Sequence, residues 1–307
     1  MSLSALALAG ALALDVILGE PPERVHPVAW FGRAVGAVDV RGSPVAGAAL
    51  AVAFPAAAGA LVVALVVAAG RATPAVAAAV AAVGLFVSTS FRRLLERAGE
   101  VVTLSERDPE RARTRLRALA GRDAGSLSPG QVRSGAVESL AENLADGLVA
   151  PLLAYAVVAA GLAFAGVGPV LAAAAGSGAA AWVKAVNTLD SMLGYPDEPG
   201  GWAPARLDDL VVWVPARASA LALAAVARSP GALRGAARWV GDVPSPNSGW
   251  PMGTLAATLD VRLEKPGVYV LNPAAPLPDP GRARAAIRQV AVAGLLVYAL
   301  AGVVTWS

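Results

Sequence analysis

The chain has no cysteine, one histidine and little charge: Asp, Glu, Lys and Arg together make 15%, and aromatic residues 5%. Without cysteine there is neither disulfide nor thiolate chemistry, and a Cys/His zinc site cannot be built around a single histidine. No credible Ser-His-Asp or Cys-His arrangement exists. No Gly-x-x-x-x-Gly-Lys-Ser/Thr loop is present, so any nucleotide must be held by something else. A net charge of +3 is too small to suggest nucleic acid, and the basic residues are not interleaved with aromatics. Soluble domains carry about 25% charged residues. The shortage of charge therefore argues against a soluble domain.

What fills the chain is Ala, Val, Leu and Gly, with hydrophobic residues at 56% and a mean hydropathy of +0.60. Long apolar runs predict an all-α polytopic membrane protein, in contact with lipid, with about five to six membrane-embedded helices. Leu3 to Leu18 is apolar except for Asp15 and short for a span, and Met1 to Leu14 lacks the positive region of a cleaved signal peptide. It reads as part of the first membrane helix. A loop holding His26 and Arg33 follows, then apolar runs at 43–70 and 74–90. These make a first division, 1–90.

Residues 91–147 are polar, Arg-rich and helix-patterned, and the basic excess predicts a cytoplasmic position. Asp108-Pro109 reads as an N-cap followed by Pro at the first helical position. Ser128 with Gln131 reads as a capping box. Residues 148–227 hold two further spans and an awkward apolar segment, 210–227, interrupted by Pro215 and Arg217. It predicts a buried or re-entrant helix. Residues 228–283 predict a cytoplasmic loop-rich segment, and 284–307 a last membrane helix.

Ionisable groups set against apolar segments are costly, which makes them functional-site candidates. Glu138, Glu142 and Asp146 fall at i, i+4 and i+8, so their carboxylates form one stripe with Asn143 beside it. That stripe suits Mg²⁺, and suits equally a solvated helix face. Lys184, Asn187 and Asp190 repeat at helical spacing just inside an apolar run, as a phosphate clamp with metal or substrate ligands would. Arg206, Asp208, Asp209 and Arg217 alternate in sign, which fits a phosphate site or a structural ion-pair network. His26 follows a Pro-rich turn. Ser245-Pro246-Asn247-Ser248-Gly249-Trp250-Pro251-Met252 reads by composition as a loop.

These blocks resemble the CobD/CbiB family of membrane adenosylcobinamide-phosphate synthases. The likeness runs from Leu14-Asp15, Gly19-Glu20-Pro21 and His26-Pro27-Val28 through Gly121-Arg122-Asp123. It continues with Glu138-Ser139-x-Ala141-Glu142-Asn143-x-x-Asp146-Gly147 and Lys184-Ala185-x-Asn187-Thr188-x-Asp190-Ser191. Ala205-Arg206-x-Asp208-Asp209, Pro215-Ala216-Arg217 and Ser245 to Met252 complete it. One departure is Ser134 after Arg133, where the family pattern has Ala.

The resemblance implies joining aminopropanol phosphate, or a related amino-alcohol phosphate, to adenosylcobyric acid. ATP would activate the carboxylate, with Mg²⁺ as the second cofactor. It implies Glu138, Glu142, Asp146 and Asp190 as metal ligands, and Lys184, Arg206 and Arg217 as charge-neutralising groups in phosphoryl transfer. Asp208 or Asp209 would be the general base. His26, Asn143, Asn187, Ser245, Asn247 and Trp250 would contact substrate or phosphate. The site would face the cytoplasm from the cell membrane, alongside other membrane enzymes of the pathway. Two rivals stand beside this reading. One is an Mg-dependent membrane prenyl- or phosphotransferase, on the faint likeness of Asn187-x-x-Asp190 to aspartate-rich motifs. The other is a transporter, on the polar groups at helix breaks.

Overall fold

A computed structural model describes residues 2–22, 24–38, 40, 42–120, 124–195 and 198–306. The chain is helical nearly throughout. In order, the helices are α1 (Leu3–Leu18), α2 (Pro27–Gly36), α3 (Pro44–Gly70), α4 (Pro74–Ser88), α5 (Arg92–Arg107), α6 (Pro109–Ala120) and α7 (Pro129–Leu144). A π-helical turn (Ala145–Val149) leads into α8 (Ala150–Phe164). Then come α9 (Pro169–Leu193), α10 (Trp202–Val211), α11 (Trp213–Val226), α12 (Gly231–Trp239), α13 (Gly249–Leu259) and α14 (Pro280–Val304). An antiparallel ribbon of β1 (Leu263–Lys265) and β2 (Tyr269–Leu271) precedes α14.

Five helical runs are long and apolar enough to cross a membrane: Pro44–Gly70, Pro74–Arg107, Pro129–Phe164, Pro169–Leu193 and Pro280–Val304. A sixth is reached if the helices either side of Val212 count as one broken span. The predicted all-α polytopic class is therefore the observed one. The capping expectations hold as well. Asp108 accepts the Arg111 N–H at 3.1 Å. Ser128 and Gln131 cap each other reciprocally, at 3.3 and 2.8 Å.

Three expectations need correction. The loop after α1 contains the helix α2, which His26 caps. The segment 228–283 is not loop-rich, since it folds into α12, α13 and the ribbon. Trp250, Pro251 and Met252 lie inside α13 rather than in a loop: Pro fits there because the first-turn N–H groups have no intrahelical acceptor. Gly121-Arg122-Asp123 falls outside the described residues.

The chain forms two compact units. One comprises 1–90, 146–212 and 297–307; the other comprises 91–145 and 213–296. In the first, α9 is the central helix, packed by α3, α4 and α8. Small residues permit this. A Cβ on Gly178 would sit 2.9 Å from the Gly59 carbonyl oxygen and 2.5 Å from Val63, so α3 and α9 meet backbone to backbone. At the other end of α9, Val35, Leu50, Leu189 and Leu193 bury one another and seat α2 against it. In the second unit α7 is the spine. It is packed by α5, α6, α13 and β1.

Candidate functional site

In the first unit, polar side chains converge at one end of the bundle. Lys184 projects from the C-terminal half of α9 and is partly buried. The carboxylates acting on it are Glu20, Asp146 and Asp208. Each arrives for a local reason. Gly19, at φ +67°, ends α1 by donating its N–H to the Asp15 carbonyl, and the chain turns there to present Glu20. Asp146 lies in the π-turn that joins α7 to α8. Asp208 stands on α10, half-buried.

Its neighbour Asp209 behaves differently. Asp209 accepts from Arg206 at 3.0 Å, so those two neutralise each other within α10. Asp208, by contrast, is one of the carboxylates that act on Lys184. Asn187 and Asp190 follow Lys184 at steps of three. Each step turns about 60° back around the helix, which carries Asp190 about 120° away from the lysine.

His26 caps α2, its Nδ1 accepting the Val28 N–H at 3.2 Å. Only a neutral imidazole can accept there. Burial lowers the His26 pKa below its ordinary value, with Glu20 working against that shift and Lys184 with it.

The second unit holds the remaining candidates, and most are committed to structure. Glu138 is fully buried. Its Oε1 accepts the Ser134 hydroxyl at 2.7 Å and its Oε2 accepts the Tyr269 hydroxyl at 2.6 Å. Ser134 Oγ in turn accepts the Glu264 N–H at 2.8 Å, so Glu138 anchors both strands of the ribbon. Glu142 accepts the Ser248 hydroxyl at 2.8 Å. Asn143 donates back to the Ser139 carbonyl at 2.9 Å.

Arg217 donates to the Trp213 carbonyl at 2.8 Å and to Asn247 Oδ1 at 2.9 Å. Its guanidinium carbon lies 4.2 Å from the Trp213 ring and 5.4 Å from the Trp250 ring. Ser245 Oγ accepts the N–H groups of Asn247 and Ser248 at 3.2 and 3.3 Å, shaping the turn into α13. These contacts build a clip around Asn247.

The four-residue metal set does not fit. Glu138 has both oxygens hydrogen-bonded in an enclosed position, and Asp190 is turned about 120° around α9 from the lysine. Among the described residues no three His, Asp or Glu side chains are arranged to hold a metal ion. Mg²⁺ needs only one or two carboxylates when phosphate oxygens and water supply the rest. Asp146 beside Lys184 is the oxygen donor that suits such a role.

The model of the CobD/Cbib protein family matches residues 8–297, nearly the whole chain. The chain belongs to the CobD/CbiB family. It is similar to the "Probable cobalamin biosynthesis protein CobD" of Methanothrix thermoacetophila, 34% identical over 280 residues, covering 85% of this chain and 84% of the relative. The corresponding protein of Methanothermobacter thermautotrophicus is 34% identical over 277 residues, with the same coverage of each. The "Cobalamin biosynthesis protein CobD" of Mycobacterium tuberculosis is 38% identical over 269 residues, covering 83% of this chain and 79% of the relative. No solved structure matches the chain.

Within this CobD/CbiB chain the contacts of two residues, Glu20 and Tyr269, were not legible from their own positions in the sequence. Glu20 was visible only as the acid between an apolar helix and Pro21-Pro22, a position that reads as a helix stop. Tyr269 gave no signal at all, because its partner lies 131 residues away.

Proposed function

We propose that this chain acts in cobalamin biosynthesis as an adenosylcobinamide-phosphate synthase, forming the amide between a propionate of adenosylcobyric acid and aminopropanol phosphate. The reading is carried by the CobD/CbiB match across 8–297, together with the names of its relatives. The cluster at Lys184 supports it chemically.

Amide formation from a free carboxylate in water is uphill. ATP, with Mg²⁺ screening its charge, would phosphorylate the carboxylate with release of ADP, and attack by the amine would then expel that phosphate as the amide forms. The protein's own groups do the rest. Lys184 offsets the negative charge of the phosphates, in a partly buried place where one ammonium counts for more than it would in water. Asp146 would hold the metal, with phosphate oxygens and water supplying the other ligands. Asp208 takes the proton that the ammonium of aminopropanol phosphate must lose before its nitrogen can attack. Asp209 leaves this scheme, held by Arg206.

The site end of the first unit faces the cytoplasm in this reading. Arg24 and Arg33 lie in its connecting segment, and Arg92, Arg93 and Arg97 follow α4 directly, an excess that favours the inner side.

Turnover in detergent with adenosylcobyric acid, aminopropanol phosphate, ATP and Mg²⁺, followed by mass spectrometry, tests the proposal. The wild type yields the amide and Lys184→Met and Asp208→Asn, folded to the same extent, yield little. No amide and no ATP consumption by the wild type would remove the ligase reading.

A further inference from the structure

We infer that Glu20 is a positioning residue of the Lys184 site, a carboxylate that ties the end of α1 to the start of α8 and holds the lysine ammonium against Asp146 and Asp208. The inference deepens the ligase reading above and rests on it for its catalytic meaning. Its structural part stands alone.

The tie is explicit. Ser90, just past α4, donates its hydroxyl to Glu20 Oε1 at 2.6 Å. The Ser90 N–H donates to the Gly147 carbonyl at 3.0 Å. One serine therefore joins the turn after α1, the end of α4 and the π-turn that carries Asp146. Each of those segments delivers one charge to Lys184 or fixes a neighbour that does. An ammonium on a membrane helix is held by groups placed for it, because bulk water is not there to solvate it.

Glu20 also acts on His26, so it bears on both the only histidine and the only lysine of this unit. Asp146 and Asp208 already outnumber the one lysine in charge. A third acid is not needed for neutrality. What Glu20 adds is direction: the ammonium is held from the α1 side as well as from α8 and α10. A lysine side chain has four rotatable carbons, and fixing its head is what turns a mobile charge into a catalytic one.

The test compares wild type, Glu20→Gln, Glu20→Asp and Ser90→Ala in detergent. The single histidine makes His26 a unique probe, and the two lysines, Lys184 and exposed Lys265, give a reactive site with an internal standard. With ¹³C-labelled histidine, Glu20→Gln moves the His26 titration midpoint down by about half a unit. Reductive methylation of Lys184, measured against Lys265 by peptide mass spectrometry, rises several-fold in Glu20→Gln. It rises less in Ser90→Ala.

In turnover, Glu20→Gln lowers kcat about 100-fold with KM little changed, and Glu20→Asp recovers part of the loss. An unmoved midpoint together with an unchanged Lys184/Lys265 ratio overturns the inference. So does full turnover by Glu20→Gln when the wild type is active. If the wild type forms no amide, the ligase reading fails by itself, and the first two readouts alone decide whether Glu20 holds Lys184.

Discussion

Ser134 shows what one hydroxyl can do. It stands after Arg133 where Ala was the expectation, and by sequence it is a minor change. In the folded chain it is fully buried, donating to Glu138 and accepting from the Glu264 backbone. Ser134→Ala would leave a buried carboxylate oxygen and a buried N–H each short of a partner, at a cost of about 1–3 kcal/mol. Tyr269→Phe removes the other bond to the same carboxylate. Thermal unfolding in detergent should show both variants melting below wild type, and unchanged melting in both would mean that Glu138 is not the anchor described. His26 makes a second prediction at this scale. Its pKa is lower in the folded chain than its ordinary 6.5. As pH falls below about 6.5, the unfolded state takes up the proton first, so the stability this residue contributes is present above that value and lost below it. His26→Asn keeps a capping side chain but cannot titrate. The drop in melting temperature between about pH 7.5 and about pH 5.5 should be smaller in His26→Asn than in wild type.

At the scale of the element, α9 was largely legible and the ribbon was not. The apolar run and the late polar residues Lys184, Asn187 and Asp190 pointed to a membrane helix ending in a polar region, and α9 is that helix. Its sequence also shows Gly176, Ser177 and Gly178, though nothing local says which neighbour they face. The structure answers that with α3 at Gly178 and α8 at Gly176. Close approach makes a prediction: Gly178→Val would overlap Val63 and the Gly59 carbonyl, costing about 1–3 kcal/mol through overpacking. Melting in detergent would register it, whereas Gly166→Ala, with open space around it but a φ of +79°, tests strain instead. The ribbon was missed because Leu263–Lys265 and Tyr269–Leu271 are three residues each, too short for an alternating pattern to show. The partners of the acidic stripe were hidden for another reason: Glu138 and Glu142 bond to side chains far along the chain, and the π-turn at Ala145–Val149 is a departure that no residue in it announces. Local rules read caps and spans; they do not read the partner across space.

For the whole molecule, composition divides a chain only along its length, whereas each compact unit here gathers segments far apart in sequence. Glu20, Asp146, Lys184 and Asp208 come together because the end of α1, the π-turn before α8, the late part of α9 and α10 share one end of the unit. The opposite end of that unit is equally well defined. Gly70 at the close of α3 lies against Val170 at the opening of α9, so the α3–α4 and α8–α9 turns sit side by side. From there Lys184 is fourteen residues beyond Val170, about 21 Å along the helix. A membrane crossed by these helices must therefore separate the two ends. Since the chain contains no cysteine, single introduced cysteines can be labelled without background. Val25→Cys and Tyr195→Cys lie on exposed positions at the site end; Ala72→Cys and Ala165→Cys lie on exposed turns at the other. In sealed right-side-out vesicles an impermeant maleimide should label Ala72→Cys and Ala165→Cys, and in inverted vesicles Val25→Cys and Tyr195→Cys. The reverse pattern would place the Lys184 site on the outer face and set the arginine excess against the positive-inside rule. Labelling of all four from one side would mean that α3, α4, α8 and α9 do not cross at all, and that the bundle embeds from a single face.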